Sequence, residues 1–298
     1  MSVELCGLRL AHPVVNGSGT FDAIAALRAF GEPLREAFPF SAYVSKTITL
    51  HPRTGNPPPR LWEAPAGMIN SIGLPNKGLD GYLAEDLPLI AGFRSDPAAG
   101  FEAMPVPVIT NVMGSDAEEL GRLVEACDAR SEIAAIELNV SCPNVATGLD
   151  IGADPAELER VLAALRPRTG KPLIVKLTPN AADVPACALG AQAGGADAVS
   201  LINTLRAAAL DPGGSGRLWL GGRTGGLSGP AIRAVALAQV AAVAAAVEVP
   251  VIGMGGVQRS EHARELLDAG ASLVAVGTES FRDPAAGTRI AAGLVLRG

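Results

Sequence analysis

Short aliphatic runs bounded by turn residues recur along this chain of 298 residues. They have the character of buried parallel strands and alternate with amphipathic Ala/Leu/Glu stretches long enough to be helices. Eight runs are predicted as strands: Pro13 to Val15, Ala42 to Lys46, Val106 to Asn111, Ala134 to Ser141, Leu173 to Thr178, Ala198 to Thr204, Val249 to Gly253 and Ser272 to Gly277. Between the later runs the 3.6-residue period predicts helices over Asp116 to Ala129, with Ser115 or Asp116 as N-cap, and Asp154 to Leu165, with Pro155 at the first position. Two more are predicted over Pro230 to Val247 and Ser260 to Ala269, the latter with Gly270 as C-cap. Strand and helix in strict alternation argue for a parallel sheet. Eight such units without a Ser/Pro-rich linker favour closure into a single (β/α)8 barrel spanning residues 1–298 over a doubly wound open sheet. Two segments read as irregular, Leu50 to Lys77 after the second strand and Leu205 to Gly229 after the sixth. In a barrel, loops that follow strands lie on the catalytic face.

Composition narrows the class. The chain is 48% hydrophobic and 18% charged, with 35 glycines and few aromatics, as expected of a globular protein built from aliphatic strands and Ala/Leu helices. Its net charge of −6, without a basic stripe, gives a nucleic-acid partner no electrostatic support. The first ten residues carry Glu4 and Arg9 and lack a signal pattern, and no run approaches the roughly 20 apolar residues of a membrane span, so a cytoplasmic chain is expected. Cys6, Cys127, Cys142 and Cys187 are widely spaced, as are His12, His51 and His262. This suggests neither a disulfide framework, an iron–sulfur cluster nor a metal site.

The ends of the predicted strands are unusually polar. Lys46 ends the second and Asn111 the third; Asn139 lies in the fourth, Lys176 in the fifth, and Asn203 with Thr204 at the sixth. A lone strand-terminal Asn is usually a turn former, but a barrel gathers all of these at one mouth. An ammonium on an aliphatic strand is costly to bury without an anion or ligand, which singles out Lys46 and Lys176. Glycine-rich stretches follow: Gly225-Gly226-Leu227-Ser228-Gly229, Gly253-Met254-Gly255-Gly256 after the seventh strand, and Gly277-Thr278 after the eighth. Loops after the last two strands are where barrels commonly hold phosphate through backbone N–H groups. Neither a G-x-G-x-x-G nor a Walker A pattern occurs. Cys142, in Leu138-Asn139-Val140-Ser141-Cys142-Pro143-Asn144, sits directly after the fourth strand, where a thiolate base or nucleophile would be placed. The other three cysteines fall in a terminal segment or in helical patterns, where a small buried residue is the simpler reading.

Several of these tracts resemble the class 1 dihydroorotate dehydrogenases: Ser45 to Asn56, Met68 to Asn76, Leu138 to Asn144, Val175 to Leu177, Ile202 to Thr204, Gly226 to Pro230 and Gly253 to Gly256. They occur in the family's order across nearly the whole chain. The tract around His51 and the Gly-Met-Gly-Gly form are more similar to the NAD-linked class 1B branch than to the fumarate-using class 1A branch. The resemblance implies FMN held by Ser18, Gly19, Lys46, Thr47, Asn111, Asn139, Lys176, Ile202, Gly229, Gly255, Gly256, Gly277 and Thr278. It implies a pyrimidine gripped by Lys46, Asn70, Gly73, Leu74, Asn139, Asn144, Asn203 and Thr204. Cys142 would be the base that takes the C5 proton of dihydroorotate while C6 gives a hydride to FMN, and Lys176 would offset charge on the reduced ring. It further implies a homodimer, or a heterotetramer with a subunit carrying FAD and a 2Fe-2S cluster that passes electrons to NAD. Two departures from the branch pattern stand out: the form of Val145 to Ala153, and an end at Gly298 without the longer C-terminal helix. Rival readings are a class 1A enzyme, a dihydropyrimidine dehydrogenase-like enzyme, an aldolase or isomerase using Lys176, and a non-catalytic flavin-bearing electron-transfer subunit.

Overall fold

The computed structural model describes residues 2–140 and 151–295. Eight parallel strands form one sheet: β1 Val14–Asn16, β2 Tyr43–Val44, β3 Val108–Val112, β4 Ile133–Asn139, β5 Leu173–Lys176, β6 Ala198–Leu201, β7 Val251–Met254 and β8 Leu273–Val276. Each expected run overlaps one of them, with ends that differ by a residue or more. Ladders run from β2 through β3, β4, β5, β6, β7 and β8 to β1. The seam between β1 and β2 is closed largely by a side chain. The Asn16 amide donates to the Val44 carbonyl at 2.8 Å and accepts from the Val44 N–H at 2.9 Å, while Ser41 N–H reaches the Val14 carbonyl at 3.0 Å. The result is the (β/α)8 barrel that the strand and helix alternation predicts.

Helices clothe the sheet: α1 Ala23–Phe30, α2 over residues 78–90, α3 Ala117–Asp128, α4 Pro155–Leu165, α5 Val184–Ala193, α6 Arg233–Ala246, α7 Ser260–Asp268 and α8 Ala286–Val295. Aspartates start four of them. Asp22, Asp116, Asp154 and Asp183 each accept a backbone N–H from the first turn, satisfying donors that the helix itself leaves free. Pro230 opens a short 3-10 turn before α6, and α7 ends one residue earlier than its period suggests, with Ala269 as C-cap and Gly270 (φ 104°) just beyond. Helix α5 gives no amphipathic signal because it is apolar nearly all round. It is pressed between neighbours, and a Cβ at Gly190 would stand 2.2 Å from the Pro155 carbonyl oxygen of α4.

Alternate side chains divide the core in two. Val14, Val108, Ile136, Val175, Val199, Val274 and their like point outward and pack under the helices. Val15, Val44, Ile109, Ala135, Ile174, Ala198, Ile252, Leu273 and Ala275 point inward, and there meet Leu5 and Leu10. These two leucines come from a hairpin, Val3–Leu5 with Leu8–Leu10, that plugs the end of the barrel where the strands begin. At that end the thiol of Cys6 donates to the Asp197 carbonyl at 3.2 Å, and burial holds its pKa up at about 11. Opposite, the two segments read as irregular combine into a four-stranded antiparallel sheet over the mouth, in the order Leu205–Ala207, Gly225–Ser228, Gly67–Asn70, Leu61–Ala64. Their glycines mask the strand pattern in the sequence and are what lets the sheet pack. Among the described residues no helix is long and apolar enough to cross a membrane.

His12, fully buried before β1, accepts the Val14 N–H on Nδ1 at 3.3 Å, stands 5.5 Å from the Phe101 ring, and leaves Nε2 without a partner. Desolvation pushes its pKa down to about 4, against an opposing pull from Asp96. The unfolded chain therefore binds a proton here between about pH 6.5 and pH 4 that the folded chain rejects, so stability falls as pH drops through that window. Urea unfolding at pH 7.5 and pH 5 is expected to show a loss on the order of 2 kcal/mol that is missing from His12→Asn. An equal pH dependence in both proteins would remove His12 as its cause.

Candidate active site

The inward-facing positions change character from one end of the barrel to the other. Above the aliphatic layer stand Asn111 of β3, Glu137 of β4 and Ser200 of β6. Asn139 of β4 and Lys176 of β5 form the next level, paired in register. Glu137 ties the lower polar level together, accepting from the Asn111 amide at 2.5 Å and from the Ser200 hydroxyl at 2.7 Å. Asn111 is fully buried, and its carbonyl oxygen has no partner among the described residues. Asn139 donates to the Thr47 hydroxyl at 3.1 Å, which brings the turn after β2 against β4.

Lys176 is only 6% exposed, and its ammonium has no ion pair or hydrogen bond among the described residues. A lysine drawn this far into an aliphatic barrel without a protein counter-charge is costly, which marks this point as a place for a ligand oxygen or an anion. Lys46 lies just beyond β2, exposed at the mouth. Desolvation holds its pKa below the ordinary lysine value; Arg60 adds to this and Asp22 opposes it. Ser18 binds the Ser45 carbonyl at 2.8 Å, and a Cβ at Gly19 would be 3.8 Å from the Lys46 side chain, so the turn after β1 borders the same mouth.

The glycine-rich loops form one wall. Gly229, Gly255 and Gly256 all take positive φ, at 90°, 137° and 68°. A Cβ at Gly255 would be 2.5 Å from the Ala236 side chain and 3.5 Å from that of Ile202. At Gly256 it would be 2.7 Å from the Arg233 side chain and 3.0 Å from the Gly229 carbonyl. These loops thus pack onto the start of α6, while Thr278, just past Gly277, donates to the Ser228 hydroxyl at 2.9 Å. Bare backbone gathered where β7 and β8 end, beside helix starts, is the geometry that accommodates a phosphate.

The mouth sheet forms the roof. Asn70 donates to the Gly226 carbonyl at 3.3 Å, and a Cβ on Gly226 would fall 1.8 Å from the Thr204 hydroxyl, so Asn70, Gly226 and Thr204 are brought together. Asn203 accepts the Thr204 N–H at 2.8 Å. Gly73 and Leu74 sit further out, in a loop tied back to Asn56, whose N–H reaches the Ile72 carbonyl at 3.0 Å. Leu74 has a φ of 58°, a left-handed conformation that a branched side chain adopts only when its surroundings impose it. Cys142 and Asn144 lie outside the described residues. Cys127 and Cys187 are buried in α3 and α5, as their helical patterns suggest, and desolvation pushes the Cys127 thiol up to about 12. A separate cavity of about 290 Å³ beside the mouth, lined by Thr49, His51, Pro52, Arg53, Met113, Ser115 and Glu119, includes none of the strand-end residues.

The sequence profile of the dihydroorotate dehydrogenase family matches residues 1–296. The chain belongs to this family. A protein of Geotalea daltonii is 42% identical over 99% of this chain and 92% of its own length, and one of Pelobacter propionicus is 44% identical over the same shares. A third, from Desulforudis audaxviator, is 43% identical over 98% of this chain and 91% of its own. All three are named dihydroorotate dehydrogenase B (NAD(+)), catalytic subunit, the branch to which the His51 tract and the Gly-Met-Gly-Gly form point.

Among dihydroorotate dehydrogenase residues not singled out from this sequence, Glu137 and Ser200 lie beneath the site and Asn16 beside it. Glu137 carried a signal: a carboxylate two residues before Asn139 in an aliphatic strand must share its inward face. Ser200 and Asn16 carried none, since small polar residues near strand ends are common.

The close approach at Gly226 is directly testable. Gly226→Ala is expected to lower stability by about 1–3 kcal/mol through overpacking against Thr204. Gly170→Ala, where no atom lies within 4 Å of the added methyl, should stay within about 0.5 kcal/mol of the parent. Denaturant midpoints for the two variants decide between a required glycine and a tolerant roof.

Proposed function

We propose that this chain oxidises dihydroorotate to orotate in pyrimidine synthesis, as the FMN-holding catalytic subunit of an NAD-linked dihydroorotate dehydrogenase. The observation that carries the reading is Lys176, only 6% exposed and without a partner among the described residues, at a polar barrel mouth whose opposite wall is bare glycine backbone. Those residues fit FMN. Gly229, Gly255, Gly256, Gly277 and Thr278 would take the phosphate, with Ile202 against the Gly255 loop. Ser18, Gly19, Lys46, Thr47, Asn111, Asn139 and Lys176 would surround the ring. When bound, FMN supplies the hydride acceptor that no side chain can provide.

The chain's own residues do the rest. Asn70, Asn139, Asn203 and Thr204, with Asn144, Gly73 and Leu74, offer the paired donors and acceptors that a pyrimidine edge requires. Lys46 offers its ammonium to the substrate carboxylate. Cys142 takes the C5 proton; a thiol is mostly protonated at neutral pH, so activity rises with pH. Lys176 holds a fixed positive charge beside the ring, favouring the more negative of its redox states. The relatives' name, a catalytic subunit of an NAD enzyme, supports a second subunit that carries electrons to NAD, in keeping with the lack of a dinucleotide fingerprint here. This reading takes residues 1–298 as one catalytic barrel acting in the cytoplasm.

Anaerobic mixing of the purified chain with dihydroorotate should bleach a bound flavin, and NAD alone should not restore its colour. Lys176→Ala is expected to keep FMN and lower its reduction midpoint; an unchanged midpoint would take Lys176 away from the ring. Cys142→Ala should bind FMN and orotate yet reduce its flavin about 100- to 10,000-fold more slowly, the usual worth of a positioned base. Cys127→Ala is the control. Single-turnover reduction at the parental rate in Cys142→Ala would assign the proton to another group.

A further inference from the structure

Beneath the proposed ring site, the hydrogen bonds of Asn111 form a directional device. An amide has one donating end and one accepting end, whereas a carboxylate only accepts. Facing Glu137, Asn111 must present its NH2, and the 2.5 Å contact shows that it does. Glu137 is held in turn by Ser200 on its other oxygen, two strands away in the barrel wall. The carbonyl end of Asn111 is thereby forced to the opposite side, where it is buried with no donor among the described residues. An uncompensated buried acceptor costs about 1–3 kcal/mol, a cost that a ligand N–H at that point would remove.

We infer that Glu137 is a positioning residue: by fixing the Asn111 amide it makes the site select a ring that presents an imide N–H. The inference rests on the FMN reading above. Asn111 stands on β3, across the barrel from the glycine wall at β7 and β8, so a ligand whose phosphate lies on that wall meets Asn111 with its far end. The oxidised isoalloxazine carries a single N–H, its imide.

The full-length chain, freed of flavin and titrated with FMN and with N3-methyl FMN, gives two dissociation constants whose ratio reads this hydrogen bond without reference to turnover. The parent should prefer FMN by at least about tenfold, the worth of one good hydrogen bond. Glu137→Met, which fills the space but accepts nothing, frees the amide to turn and should lower the preference about tenfold. Glu137→Gln can still accept from Asn111 and donate to Ser200, and should stay within about threefold of the parent. The inference fails if Glu137→Met keeps the parental preference, if Glu137→Gln loses as much as Glu137→Met, or if the parent binds both flavins alike. Should Glu137→Met not fold, Ser200→Ala removes only the second anchor and should lower the preference about threefold; an unchanged ratio there would also refute the device. A parent that binds neither flavin would overturn the cofactor reading and this inference together.

Discussion

Only every second side chain of a strand can enter a barrel, and eight parallel strands leave room for very few per level. That constraint governs the molecule. The lower inward positions are spent on Val15, Val44, Ile109, Ala135, Ile174, Ala198, Ile252 and Leu273, sealed by Leu5 and Leu10. The upper ones are left to Asn111, Glu137, Asn139, Lys176 and Ser200. The apolar floor supplies the hydrophobic gain, at about 25 cal/mol per Å² buried. It also puts the polar ceiling on a rigid base, shielded from water on one side. The charge of Lys176 and the acceptor of Asn111 gain their force from that shielding, because electrostatic contacts strengthen as the surroundings become less polar.

Much of this was legible in the sequence because the signals were periodic. Eight aliphatic runs and their helices gave the barrel, and the polar residues at strand ends could be gathered at one mouth once closure was assumed. The roof was not legible: residues 205–228 are rich in glycine, which counts against strands, and their pairing with residues 67–70 joins segments about 160 residues apart in the chain. Helix α5 was given no bounds because even its exposed side is apolar, as at Leu189, which erases the amphipathic contrast. Strand-end polarity singled out Asn111 and Lys176, but Glu137 became meaningful only when the register put its carboxylate against the Asn111 amide. Strand alternation shows that a residue points inward, not what it meets there.

The two walls of the site owe their fit to opposite devices. On the glycine wall, side chains are absent and the backbone is laid bare. On the β3 to β6 side they are kept but tied to one another, Asn111 to Glu137, Glu137 to Ser200, and Asn139 to Thr47. Preorganisation of this kind lets a site recognise its ligand without first ordering itself.

The stitch at Asn16 also bears on how the barrel is closed. Every other neighbouring pair of strands is joined by a backbone ladder, but β1 and β2 are held mainly by side chains, the Asn16 amide and the hydroxyls of Ser41 and Ser18, with a flanking backbone bond from Ser41. A ladder repeats along regular backbone, whereas this seam depends on the identity of a few polar side chains. The cylinder is thus a ribbon of strands rolled up and buttoned along one edge by side chains.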